Sequence, residues 1–160
     1  MSKIRVKMAD LNVGQNSDVL ITSGLGSCVG VAVYDSRAQI GGLAHVMLPE
    51  VPSNRENNNP AKYADTALEL LLKKLKDKGA RSRKLVAKIA GGAQMFKSQV
   101  KSNLMNIGER NVESSEKILK NLGIKITGME TGGNVGRTLI LDTLDRKVYV
   151  RITGSNIYEI

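Results

Sequence analysis

One cysteine, Cys28, and one histidine, His45, stand among 160 residues. The lone thiol excludes an internal disulfide and a cysteine-rich zinc site, and the lone imidazole excludes a centre built from several His ligands. No metal or other cofactor is expected. Tryptophan is absent and Phe96 is the only phenylalanine, so the core has to be packed from aliphatic side chains. The scarcity of stacking aromatics and the lack of any nucleic-acid motif argue against a nucleic-acid reader. No apolar run approaches the roughly 20 residues of a membrane span. The opening Met1-Ser2-Lys3-Ile4-Arg5-Val6-Lys7 has neither the apolar stretch nor the small-residue cleavage site of a signal peptide. The expectation is a cytoplasmic protein with no membrane insertion, organised as a single domain over residues 1–160.

Positive charge is concentrated. Between residues 73 and 101 ten Lys and Arg face one acid, Asp77, and this stretch alone accounts for the net charge of +9. It reads either as a solvated helix end, where Lys is favoured, or as a surface that attracts acidic partners.

The order of elements follows from the patterning. Ile4 to Met8, Val19 to Thr22, Cys28 to Tyr34 and Ile40 to Leu48 read as strands. The Pro- and Asn-rich segment 49–59 reads as a loop. Asn59 is a suitable N-cap and Pro60 a suitable first helical residue. Ala64, Ala67, Leu68, Leu71 and Leu75 then recur at helical spacing, with Gly79 as the stop. A strand over 84–89 follows, then a helix from about Glu109 to Leu122 with Val112, Ser115, Leu119 and Leu122 on one face. Strands over 124–130 and 137–142 flank a Gly-rich turn, and 147–153 pairs back on its predecessor. The order indicates an α+β protein, a layered α/β sandwich with mixed, mostly antiparallel sheets. The turn Thr131 to Arg137 lacks the Lys-Ser/Thr ending of a phosphate loop and reads as a tight turn, though Arg137 could hold a carboxylate.

Cys28 closes the segment Thr22-Ser23-Gly24-Leu25-Gly26-Ser27-Cys28. The glycines permit a tight loop ahead of the sulfur, where backbone N–H groups at Gly26 and Ser27 could converge as an oxyanion hole does. If strands 28–34 and 40–48 join through a two-residue turn at Ser36-Arg37, Cys28 lies directly across from His45 on one face. Val29, Val31 and Val33 then line the other. A thiol beside an imidazole is the minimum for cysteine nucleophilic catalysis, and a hydroxyl such as Thr22 could orient the ring. On spacing alone, the pair is equally well accounted for as core packing. Met95 and Phe96, after paired glycines, are either core residues or an apolar contact patch for a partner.

Several linked segments together resemble the CheD family of chemotaxis proteins. They are Thr22 to Cys28, Ala44-His45-Val46-Met47-Leu48-Pro49, Lys62-Tyr63-Ala64-Asp65 and Ile89-Ala90-Gly91-Gly92-Ala93 with Met95-Phe96. Asn106-Ile107-Gly108 with Arg110-Asn111, and Thr131-Gly132-Gly133-Asn134, complete the set. The resemblance implies a chemoreceptor glutamine deamidase that converts glutaminyl side chains on receptor cytoplasmic helices to glutamyl and releases ammonia. It also implies some action on glutamyl methyl esters. By the same resemblance the nucleophile falls on Cys28, its histidine on His45 and a supporting threonine on Thr22. The implied fold is a sandwich resembling toxin deamidase domains, with a Cys–His arrangement like that of papain-like proteases. The implied partner is CheC, a phosphatase. Two other readings stay open at this point: a regulator that binds the phosphatase with little activity of its own, and, less in keeping with the residues, a basic nucleic-acid module.

Overall fold

The computed structural model describes residues 2–53, 56, 58–95 and 106–160. Among them the chain runs β1 (Lys3–Arg5), β2 (Asp10–Gln15), β3 (Val19–Leu25), β4 (Val29–Asp35), β5 (Ile40–Val46), α1 (Ala64–Asp77), β6 (Leu85–Gly91), α2 (Ile107–Asn121), β7 (Lys125–Thr131), β8 (Arg137–Asp142), β9 (Lys147–Ile152) and β10 (Ile157–Glu159). The strands form two five-stranded sheets, ordered β1-β3-β8-β9-β10 and β2-β5-β4-β6-β7. Only β1–β3 and β6–β7 pair in parallel, so both sheets are mixed and mostly antiparallel, as the element order implied. Strands β2 and β10 were not anticipated. The first has charged and polar residues at alternate positions and the second is exposed throughout, so neither presents an apolar run.

The layers are helices, sheet, sheet. On the outer face of the second sheet, Val29, Val31, Val33, Ala44, Val46, Ala87 and Ile89 pack against Ala64, Ala67, Leu68, Leu71 and Leu75 of α1 and Leu119 of α2. On its inner face, Cys28, Ala32, Tyr34, Leu43 and Ala90 pack against Leu20, Leu25, Leu139, Leu141, Val148 and Val150 of the first sheet. Covered on both sides, β4 is buried along its whole length, which is why it reads as an unbroken apolar run. The inner face is made of small residues where the other sheet approaches. A Cβ on Gly30 would stand 2.9 Å from Leu25 Cδ1, and one on Gly41 would stand 2.7 Å from Leu141 Cδ2.

Two further details differ from the sequence expectation. The β4–β5 hairpin closes through residues 36–39 rather than through a two-residue turn, and the register moves by two: Val29 pairs with Val46 and Gly30 with His45. The cause is Asp35, whose buried carboxylate accepts the Arg37 N–H (2.8 Å), the Ala38 N–H (3.0 Å) and the Arg81 N–H (3.0 Å). A shift of two keeps every side chain on its expected face, so Val29, Val31 and Val33 still face the helices. The second difference is at Asn59 and Pro60, which open a separate 3₁₀ turn over Pro60–Lys62, with the Asn59 side chain accepting the Ala61 N–H. Tyr63 is extended, at φ −113° and ψ 136°, and bridges to Leu48, so the α-helix itself begins at Ala64.

Candidate active site

Thr22 stands in β3 of one sheet and His45 in β5 of the other, and their side chains meet between the layers. Thr22 Oγ1 lies 2.7 Å from the Val6 carbonyl oxygen and 2.7 Å from His45 Nδ1. A threonine hydroxyl has one proton, and a carbonyl oxygen can only accept. Thr22 therefore donates to Val6, and Nδ1–H of His45 donates to Thr22. A neutral imidazole protonated at Nδ1 leaves Nε2 as a bare lone pair. Nε2 is buried and has no hydrogen-bond partner among the described residues. Burial holds the His45 pKa well below its ordinary 6.5, at about 4, so near neutrality the ring is an uncharged base.

Cys28 lies just ahead of β4, two residues from Gly30, the cross-strand partner of His45. Even spacing puts its sulfur on the same inner face as His45, diagonal to it rather than directly opposite. Gly30 between them has no side chain. Cys28 is buried within the inter-sheet core, and burial raises its thiol pKa above the ordinary 9.0 against the opposing pull of its own backbone N–H. Thiol and imidazole thus rest uncharged on one face of the sheet, with no hydrogen bond between them.

The loop that carries the thiol is held from two sides. Gly92 N–H donates to the Cys28 carbonyl at 2.9 Å and Ala93 N–H to the Gly26 carbonyl at 2.8 Å. Gly91, at φ +107°, leaves no room for a Cβ, which would collide with the Cys28 carbonyl oxygen. From the helix side, Asn111 Nδ2 of α2 donates to the carbonyls of Ser27 and Met47, each at 2.9 Å. Met95, 46% exposed, rests against Gly26, where a Cβ would stand 3.2 Å from its Cγ. Phe96 lies outside the described residues.

The structure therefore gathers Thr22, Gly26, Ser27, Cys28, His45 and Met95 into one region. Sequence reasoning did not assign Asn111 or the paired Gly91 and Gly92 to it. The available signal for Asn111 was a polar residue on the helix face that also buries Gly108, Ser115 and Leu119; Val112, expected on that face, is only half-buried. Arg137 holds a carboxylate as expected, pairing with Glu130 while its Nη1 donates to the Gly132 carbonyl at 2.8 Å. Gly132 and Gly133, at φ +80° and +69°, form the tight turn that passes the chain from one sheet to the other. Among the described residues no three His, Cys, Asp or Glu side chains stand close enough to share a metal ion.

A layered α/β/β sandwich with a buried Thr–His relay and a thiol on the same face defines the class: a protein built around one cysteine and one histidine. The chain belongs to the CheD family. The family description "CheD chemotactic sensory transduction" matches residues 47–152. A Clostridium novyi (strain NT) protein named "Probable chemoreceptor glutamine deamidase CheD" is 50% identical over 155 residues, covering 97% of this chain and 96% of its own. Proteins of the same name from Clostridium botulinum (strain Eklund 17B / Type B) and Caldanaerobacter subterraneus subsp. tengcongensis are each 45% identical. The first alignment covers 99% of this chain and 98% of the relative, the second 96% and 95%. The family match begins after His45, whereas the Clostridium botulinum alignment, at 159 residues, runs across Thr22, Cys28 and His45 as well.

Proposed function

We propose that this protein is a chemoreceptor glutamine deamidase acting through Cys28 and His45. The observation that carries the reading is the relay from the Val6 carbonyl through Thr22 to His45 Nδ1, which leaves Nε2 unprotonated on the face that also bears the Cys28 sulfur. The names and full-length similarity of the relatives supply the substrate class.

The chemistry proceeds in two halves. Because both groups rest uncharged, Cys28 Sγ attacks the glutaminyl carboxamide carbon as His45 Nε2 takes the thiol proton. Negative charge develops on the carboxamide oxygen, where the N–H groups of Ser27 and Cys28 can receive it; no backbone carbonyl among the described residues engages either. Collapse expels ammonia, which leaves with the proton held on Nε2, and a thioester remains. Water then attacks that carbonyl, gives its proton to Nε2 and releases glutamate, and the proton returns to sulfur. The balance is glutamine plus water giving glutamate plus ammonia, with no cofactor required. Thr22 holds the ring in the tautomer that each half needs.

The binding partner we infer is a CheC-type phosphatase, docking over the region of Met95. That side chain is exposed and lies against the Gly26–Cys28 loop, so phosphatase and receptor would compete for it. The test is mass spectrometry of a receptor cytoplasmic fragment incubated with the protein, its Cys28→Ala variant and its Thr22→Val variant. Cys28→Ala is expected to abolish the Gln-to-Glu shift while still binding the phosphatase. Thr22→Val is expected to lower kcat by about 10-fold or more through loss of the fixed tautomer. A Cys28→Ala protein with full activity overturns the mechanism, and a wild-type protein with no activity on that fragment favours the regulator reading.

A further inference from the structure

The β4–β5 ladder stops at the pair Val29 and Val46. The next residues on each side are Cys28 and Met47, and no rung is formed between them. In its place stands a side chain from another layer. Asn111 of α2, fully buried, puts one N–H of its carboxamide on the Ser27 carbonyl and the other on the Met47 carbonyl, both at 2.9 Å. Ser27 is bonded to Cys28, and Met47 lies two residues beyond His45. The same carboxamide therefore joins the segment that carries the thiol to the strand that carries the base. Its oxygen, Oδ1, is buried with no hydrogen-bond partner among the described residues. Turning the amide over would place that oxygen against two carbonyl oxygens and orphan both, so the observed orientation is the one these neighbours dictate. A buried polar atom left unpaired is a standing cost. Here it accompanies a bridge at the frayed end of the strand pair, where separation of the two segments would move sulfur away from Nε2.

We infer that Asn111 is a positioning residue of this site: its carboxamide fixes the separation of Cys28 and His45 by bridging the Ser27 and Met47 carbonyls. The inference rests on the Cys28–His45 reading above. It assigns Asn111 no contact with substrate. Helix α2 is anchored independently, its Asn106 side chain accepting the Glu109 N–H at 2.9 Å and its Ser114 Oγ donating to the Pro49 carbonyl at 2.8 Å. Loss of the bridge should loosen the site more than the helix.

Asn111→Ala and Asn111→Ser proteins would be compared with wild type and with Ser115→Ala. Ser115 Oγ donates to the Asn111 backbone carbonyl and so serves as a comparator in the same buried turn. Activity on the receptor fragment would be normalised to folded protein. The expected result is a kcat at least tenfold lower for Asn111→Ala with KM within twofold, and a smaller loss for Asn111→Ser, which keeps one donor. At neutral pH iodoacetamide should alkylate Cys28 of either variant more slowly, because Nε2 no longer stands where it can take the thiol proton during the attack. Ser115→Ala should lower Tm and leave kcat and the alkylation rate in place. A folded Asn111→Ala with unchanged kcat overturns the inference, provided Cys28→Ala is inactive in the same assay. If Cys28→Ala is active, the underlying mechanism is what fails. Should neither Asn111 variant fold, hydrogen exchange at the wild-type side-chain amide decides: slow exchange of both Nδ2 protons upholds the bridge, and free exchange refutes it.

Discussion

Thr22 has one hydroxyl proton, and the Val6 carbonyl takes it. That leaves Thr22 Oγ1 as an acceptor for His45 and sets which nitrogen of the ring is basic. Burial sets how basic it is. With a pKa near 4 in the folded protein and about 6.5 in an unfolded chain, His45 favours the neutral form on folding. Two consequences follow, with the same sign. The base-competent fraction stays near one down to about pH 5, so the acid limb of kcat/KM should fall near pH 4 rather than between 6 and 7, as a pH–rate profile would read. Stability should be independent of this group above pH 6.5. It should drain away as pH falls from 6.5 towards 4, where the unfolded chain takes up a proton that the folded one refuses. The loss from this group is roughly 3 kcal/mol in full, measurable by urea titration across that window. A His45→Gln protein should lose that slope. Residue types announced Cys28 and His45, because each occurs once. Nothing in residue type announced that the Val6 carbonyl would complete the relay, since a backbone oxygen has no signature in a sequence.

At the scale of elements, the loop before β4 is shaped by what lies across from it. Gly91 at the end of β6 adopts φ +107° beside the Cys28 carbonyl. Gly91→Ala is expected to destabilise the fold by at least the 1–3 kcal/mol of a strained backbone position (about 2 in a typical case). It should also lower kcat by displacing the thiol; the shift in urea midpoint and the ammonia-release rate check the two effects separately. Elements were legible wherever periodicity was strong. The stripe Ala64, Ala67, Leu68, Leu71 and Leu75 is the buried face of α1, and the apolar run Val29 to Tyr34 read as a strand, though only the fold shows it covered on both sides. The hairpin register was legible only as to face. Its length depended on Asp35, whose carboxylate gathers N–H groups from residues 37, 38 and 81, and a contact with a residue 46 positions away is invisible to local turn rules. The boundary of α1 was missed for the same kind of reason: Tyr63 pairs with Leu48, a tertiary contact that overrides the Asn-Pro cap.

Across the whole molecule, the lysines at the end of α1 and the candidate site lie at opposite ends of one strand. Lys73, Lys74, Lys76 and Lys78 are exposed at the end of α1, near the β4–β5 loop, where Arg81 pairs with Asp35. Cys28 is at the other end of β4, about 20 Å away for a strand of that length. No carboxylate among the described residues pairs with these lysines. Replacing Lys73, Lys74 and Lys76 by Glu should therefore slow association with an acidic receptor fragment, most strongly at low salt. Turnover of a short glutamine peptide should be unchanged; stopped-flow association and peptide kinetics would separate the two. The placement of the relay has a consequence of another kind. Thr22 and His45 belong to different sheets, and the thiol loop also depends on β6 and α2, which come later in the chain. During synthesis the ribosome delivers all three side chains within the first 45 residues, long before Gly92 and Asn111 exist to hold them. A nascent or partly opened chain thus carries the thiol without the aligned imidazole, and under the mechanism proposed above hydrolytic competence would arrive only with closure of the entire sandwich.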